Sequence, residues 1–149
     1  MQFTTIALAL FSTALASPAM QPRATTQEDA NITDFSLHKT SSNVVDGVSF
    51  NLVSGTAGKT IVCSATASQV NGLPTNTYDC GDASYHFQVL QGAEASTFTL
   101  RVQHDVDGVS GGISGDVNVP TYCHAGGLNT LVCGQTTSPV TVHLDSTSN

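Results

Sequence analysis

From Ala30 onward, apolar residues recur at every second position, the pattern of an extended chain that buries one face and wets the other. Phe35 and Leu37 alternate with Ser36 and His38, Val48, Phe50 and Leu52 with Ser49 and Asn51, and Tyr85, Phe87 and Val89 with His86 and Gln88. Phe98, Leu100 and Val102 face away from Thr99, Arg101 and Gln103, and Val140, Val142 and Leu144 from Thr141 and His143. The longest run sets Val109, Ile113, Val117 and Val119 on one side, in phase with Gly111 and Gly115, and Ser110, Ser114, Asp116 and Asn118 on the other. Glycine at inward positions marks strong coiling or a barrel corner. Helical periodicity is nearly absent. Asp46-Gly47, Asn71-Gly72, Asp107-Gly108 and Gly126-Gly127 supply residues suited to tight turns between the runs. Short strands joined by such turns predict an all-β antiparallel barrel or sandwich.

The ends of the chain read differently. Residues 1–16 are apolar but too short to span a bilayer, and end on Ala14-Leu15-Ala16, the small-x-small pattern of signal-peptide cleavage after Ala16. Ser17 to Arg23 resembles a short propeptide, with Arg23 as a second processing point, so residues 17–29 are expected to be a propeptide or disordered head. The strand-forming domain is placed at residues 30–144 and a disordered tail at 145–149. No later stretch is long and apolar enough for a transmembrane helix, so the mature protein is expected to be secreted.

Composition narrows the function. Charged residues make up 10% of the chain and the formal charge is −7, with only Arg23, Lys39, Lys59 and Arg101 basic. That balance cannot build the cationic surface needed for nucleic acid or an anionic membrane. Four cysteines, Cys63, Cys80, Cys123 and Cys133, lie in the mature part without a C-x-x-C pair, which in a secreted chain reads as disulfides, not zinc. Three pairings are possible, and spacing alone does not choose between them.

Candidate chemistry is sparse. His104-Asp105-Val106-Asp107-Gly108 looks like a fragment of a calcium loop but lacks its glutamate and flanking helices, and reads as a hairpin turn. His38, His86, His104 and His143 fall on or near the outward phase of their strands and read as solvated side chains, while His124 sits in a cysteine-bearing loop. No Gly-x-Ser-x-Gly elbow or zinc-binding histidine pair is present, and Ser110-Gly-Gly falls within a strand pattern. The expectation is a non-enzyme without a cofactor. With no tryptophan and only Tyr78, Tyr85 and Tyr122, stacking of sugars is disfavoured. Asn31-Ile32-Thr33 is an N-glycosylation sequon. Recognition is expected on loops, with residues 71–77 and 124–130 as candidates, and the inward Gly111 and Gly115 leave room for a small-ligand site as an alternative function.

Several segments in this order resemble a known family, the small secreted fungal proteins typified by the major Alternaria allergen, which include plant elicitors and effectors. They are Ile32-Thr-Asp-Phe35, Gly47-Val-Ser-Phe-Asn-Leu52, Cys63-Ser-Ala, Tyr78-Asp-Cys-Gly81, and Pro120-Thr-Tyr-Cys-His-Ala-Gly-Gly127 followed by Val132-Cys133. The resemblance implies a single antiparallel β-barrel with two local disulfides, Cys63 to Cys80 and Cys123 to Cys133. It further implies no established enzymatic activity, an apoplastic or cell-wall location, and action on plant defence, with thaumatin-like defence proteins as partners and, for the type member, flavonoid-like phenolics as ligands. The type member joins two barrels through a further cysteine near its mature N-terminus; here none precedes Cys63. The expected state is therefore a monomer or a non-covalent dimer.

Overall fold

Period-two alternation becomes burial along nearly every strand. The structure, a computed structural model, describes residues 26–55 and 58–146. The strands among them are β1 (Gln27–Lys39), β2 (Val45–Ser54), β3 (Thr60–Ala65), β4 (Tyr78–Asp79), β5 (Tyr85–Gln91), β6 (Thr97–His104), β7 (Ile113–Ala125), β8 (Leu131–Gln135) and β9 (Val140–Asp145). Every pairing is antiparallel, in the order β3-β2-β1-β8-β7-β6-β5-β4, with β9 lying against β1 and β7. The protein is thus all-β, one antiparallel sheet around an apolar core.

That core contains Phe35, Phe50, Phe87 and Phe98 with Ile32, Leu37, Leu52 and Leu100, each at most 2% exposed. Phe50 meets Phe87 edge to face at 5.1 Å between centroids, and Phe35 lies between Phe50 and Phe98 at 6.2 and 6.3 Å. Each such side chain contributes about 1.5–3 kcal/mol by leaving water.

Strand β1 joins two halves of the sheet. Residues Gln27 to Ile32 pair with β9, and Ser36 to Lys39 pair with β8. Between them the register against β2 slips by one residue, and Asp34 takes a φ of 55°. This bulge moves the inward phase from Ile32 to Phe35, so the odd spacing in the sequence is a strand that changes partners. The Gln135 side chain bridges the gap: its Oε1 accepts the Phe35 N–H at 3.0 Å and its Nε2 donates to the Ile32 carbonyl at 3.1 Å.

The path of paired strands is open, with β3 and β4 at its ends. The Cys63–Cys80 disulfide joins those ends, and the Gly81 N–H donates to the Val62 carbonyl at 2.7 Å. The sheet is brought round on itself there by a covalent link and a backbone hydrogen bond, without a ladder.

Several expected boundaries are corrected. Strand β1 begins at Gln27, ahead of Ala30, and Asp145 is the last paired residue of β9, opposite Gln27, so neither belongs to a disordered end. Asp46-Gly47 is no turn: it lies inside β2, where Asp46 is the extra residue of a second bulge opposite His38 and Lys39. The β1–β2 turn is instead at residues 40–44. Val109 and Gly111 belong to the loop between β6 and β7, in which Gly108, Gly111 and Gly112 have positive φ, so β7 starts only at Ile113. In the β7–β8 turn the left-handed residues are Leu128 and Asn129, at φ 57° and 61°, and not the two glycines before them.

Candidate functional site

Strand directions sort the connections onto two ends of the sheet. At one lie Gln27, Ser54, Tyr85, His104 and Asp145; at the other lie the turns at 40–44, 66–74, 92–96 and 126–130.

The first end is closed by a polar cluster that the alternation conceals. Glu28, its side chain 5% exposed, accepts three hydrogen bonds, from Ser54 Oγ (2.6 Å) and Tyr85 OH (2.8 Å) on Oε1 and from His104 Nδ1 (2.6 Å) on Oε2. Strands β1, β2, β5 and β6 are tied to one carboxylate. The Tyr85 and His104 rings stack at 3.9 Å and 13°. Burial alone would raise the Glu28 pKa, but the donors Ser54, Tyr85 and His104 outweigh it and hold the carboxyl below its usual range. Burial pushes the Tyr85 phenol up to about 12, so it stays a donor. A serine, a histidine and a carboxylate meet here, yet Ser54 donates to the acid, whereas nucleophile activation needs it on the imidazole. The arrangement braces the fold.

Other histidines also turn out to be partnered. His86 holds Asp79 through Nδ1 (2.7 Å) and Asp105 through Nε2 (3.1 Å); burial would lower its pKa, but Asp105 and Asp79 raise it overall. His143 pairs with Asp29 at 2.6 Å, and His38 with Asp46 at 2.5 Å. His143 and His38, with side chains 77% and 42% exposed, are solvated as expected although paired. The expectation is corrected for His86 and His104, 22% and 21% exposed, because partners on other strands are invisible to a pattern read along one strand. His124 is exposed, and its Nδ1 is 3.2 Å from the Ala125 carbonyl oxygen.

The second end carries exposed apolar side chains. Val44, Tyr122 and Leu128 are 37%, 70% and 95% exposed, and all three lie at or near it. Leu128 stands on a one-turn 3-10 segment, Gly127–Asn129, in the left-handed conformation. The candidate loop at 124–130 is thus placed here. The loop at 71–77 is only partly so: Gly72 N–H donates to the Val45 carbonyl (2.7 Å) at this end, but Thr75 is buried and bonds to the backbone of Val89, fixing the chain along β5. A cleft of about 570 Å³ opens between the 40–44 turn and the 67–71 segment.

The remaining predicted residues are placed as follows. Cys63 is bonded to Cys80, and Cys123 to Cys133 directly across the β7–β8 ladder. Asn31 sits mid-strand in β1, where its Oδ1 accepts the Thr141 hydroxyl at 2.8 Å. The space expected at Gly111 and Gly115 is absent. Gly111 is an exposed loop residue, and a Cβ on Gly115 would run into the His143 carbonyl oxygen, so that glycine admits β9 and opens no room for a ligand. Ser110-Gly-Gly falls in the same loop as Gly111. Ala16 and Arg23 lie outside the described residues.

Known proteins match this chain over most of its length. Residues 32–133 fit the family model of Alternaria alternata allergen 1. The effector protein PevD1 of Verticillium dahliae is 35% identical over 154 aligned positions, which take in 98% of this chain and 95% of that one. Two crystal structures of the Alternaria alternata major allergen Alt a 1 share the fold, with a TM-score of 0.56 at 23% identity over 78% of this chain and 91% or 86% of theirs.

Proposed function

The chain belongs to the Alternaria alternata allergen 1 family, and on that premise we propose that it is a secreted, non-enzymatic effector that acts by binding a plant defence protein through its loop end. The likeness to an effector protein across 98% of the chain supports the class. The observation that carries the mechanism is Leu128. A leucine that is 95% exposed and held at φ 57° loses both its hydrophobic contacts and about 1–2 kcal/mol of backbone energy. The hairpin turn uses the left-handed conformation, but it gains nothing from a leucine side chain there, whereas a partner that buries that side chain would. Tyr122 and Val44 extend the apolar area on the same end.

In this reading the sheet acts as a rigid barrel, with the Cys63–Cys80 link holding its ends together. Secretion follows removal of residues 1–16 after Ala16, with trimming at Arg23, and Asn31, which is only half-buried in β1, is glycosylated. All four cysteines of the chain are used internally, which supports a monomer or a non-covalent dimer in the apoplast or cell wall. The flavonoid-carrier alternative is not retained, since the glycine that would have opened its cavity is filled by β9.

The test is capture from plant apoplastic fluid by the immobilised mature chain. A thaumatin-like protein retained by the wild type and lost with Leu128→Asp is the expected result. Recovery of no protein above background counts against the reading, as does equal capture by the variant.

A further inference from the structure

We infer that the cleft between the 40–44 turn and the 67–71 segment is a binding site for a neutral oligosaccharide, oriented by the Asp46 carboxylate. This goes beyond protein binding and does not depend on it.

The walls are preformed. On one side the Thr40 N–H donates to the Val44 carbonyl (2.8 Å) and the Asn43 N–H to the Thr40 carbonyl (2.9 Å), which closes the turn on itself. On the other, Gln69 and Val70 donate to the Thr66 carbonyl, and Tyr78 OH donates to the Gln69 carbonyl at 2.7 Å. The Gly72 N–H reaches the Val45 carbonyl and joins the two walls. A ligand entering this cleft meets loops already ordered, which lowers the entropy it must spend. Its volume, about 570 Å³, is in the range of small-molecule sites.

The bulge in β2 is the second observation. It makes Asp46 the unpaired residue of the ladder, and bulges commonly re-aim a side chain beside a site. Asp46 lines the cleft, and its Oδ1 is held by His38 Nδ1, so Oδ2 remains as a fixed acceptor. Gln69 is fixed likewise, because its Oε1 accepts from the Thr66 N–H and hydroxyl and thereby leaves Nε2 as a donor. Ser42, Ser68 and Asn71 add hydroxyls and an amide, each able to donate and accept, and Val44 adds an apolar surface.

The chemistry of the ligand follows from that set. No lysine or arginine lines the cleft, so phosphate, sulfate or an acidic sugar would find no counter-charge. The carboxylate is already faced by an imidazole, which weakens its pull on a cation. What remains is a mixture of fixed donors and acceptors with small apolar patches, matched by a molecule whose hydroxyls both donate and accept and whose C–H faces are apolar. The missing aromatic platform predicts weak binding that relies on hydrogen bonds.

The experiment titrates the isotope-labelled secreted chain with neutral β-linked glucose and N-acetylglucosamine hexamers, followed by amide NMR. Saturable shifts confined to residues 40–46 and 66–72 are expected with at least one hexamer. Asn71→Ala should weaken binding about fivefold, the loss of one hydrogen bond. Asp46→Ala should weaken it more and Asp46→Asn less, because an amide still accepts from a hydroxyl. If Asp46→Ala fails to fold by circular dichroism, Asn71→Ala and Ser42→Ala, both on the turns, decide the matter. Absence of shifts with every neutral hexamer at millimolar concentration overturns the site. So do shifts centred elsewhere, or tighter binding of spermidine or of an oligogalacturonate at the same residues.

Discussion

Glu28 accepts the His104 Nδ1–H at 2.6 Å although 76 residues separate them, and so ties the first strand to the sixth across the end of the sheet. The carboxylate is 5% exposed and the imidazole 21%. A carboxylate this buried depends on its three donors, because little water reaches it to replace one that is lost.

Replacing Glu28 with Gln should therefore destabilise the domain by roughly 2–3 kcal/mol, the scale of hydrogen bonds to a charged group in a buried setting. Tyr85→Phe removes one donor of three and should cost about 1 kcal/mol. Urea unfolding followed by circular dichroism measures both, and a neutral Glu28→Gln would show that the cluster does not brace the end.

Stability should be highest between about pH 4.5 and 6.5. Glu28 has its pKa lowered from 4.5, so its contribution is fully present above that value and is lost as pH falls through the lowered pKa. His86 has its pKa raised from 6.5, so its contribution is fully present below 6.5 and fades as pH rises through the raised value. Urea midpoints from pH 3 to 9 should show both slopes. Glu28→Gln should flatten the acid side and His86→Gln the basic side; unchanged slopes in either variant refute the assignment.

Two glycines should respond in opposite ways to alanine. At Gly115 a methyl group would collide with the His143 backbone, which must move for β9 to stay in place, so Gly115→Ala should cost about 3 kcal/mol or prevent folding. At Gly134 a methyl group would meet nothing within 4 Å, and alanine should be neutral or stabilise by up to about 1 kcal/mol. Thermal melts of the pair make the comparison.

The two disulfides should not be equivalent. Each closes a short loop and restricts the unfolded chain by about 3 kcal/mol in the loop-entropy model. Cys123 and Cys133 join strands already paired in a ladder, whereas Cys63–Cys80 spans ends that share no ladder. Cys63→Ala with Cys80→Ala should lose more stability and expose more apolar surface to a reporter dye than Cys123→Ala with Cys133→Ala. The wild type should migrate at monomer mass without reductant.

Leu128→Gly should stabilise the isolated domain by about 0.5–1 kcal/mol, since glycine adopts φ 57° without strain and the lost side chain packs on nothing. The same variant should weaken capture of the host partner. A destabilised Leu128→Gly would mean that the leucine serves the fold.

The sequence by itself determined the strand class and most of the inward residues. Phe50, Phe87, Phe98 and their alternating neighbours face the core as their period of two requires, because burial of one face is a local, additive property of an extended chain. Cysteine pairing became legible through family resemblance, not spacing. The tertiary structure alone decided what depends on register between distant strands. Asp46-Gly47 has the composition of a turn, but β1 pairs across it and turns it into a bulge. Gly115 looked like open space until β9 crossed it, and Glu28, the second residue of the first strand, gained its role only when Ser54, Tyr85 and His104 arrived from three other strands. Contacts 26, 57 and 76 residues apart leave no trace in a pattern whose reach is a few residues, because which strand lies beside which is set by packing the whole sheet around one core.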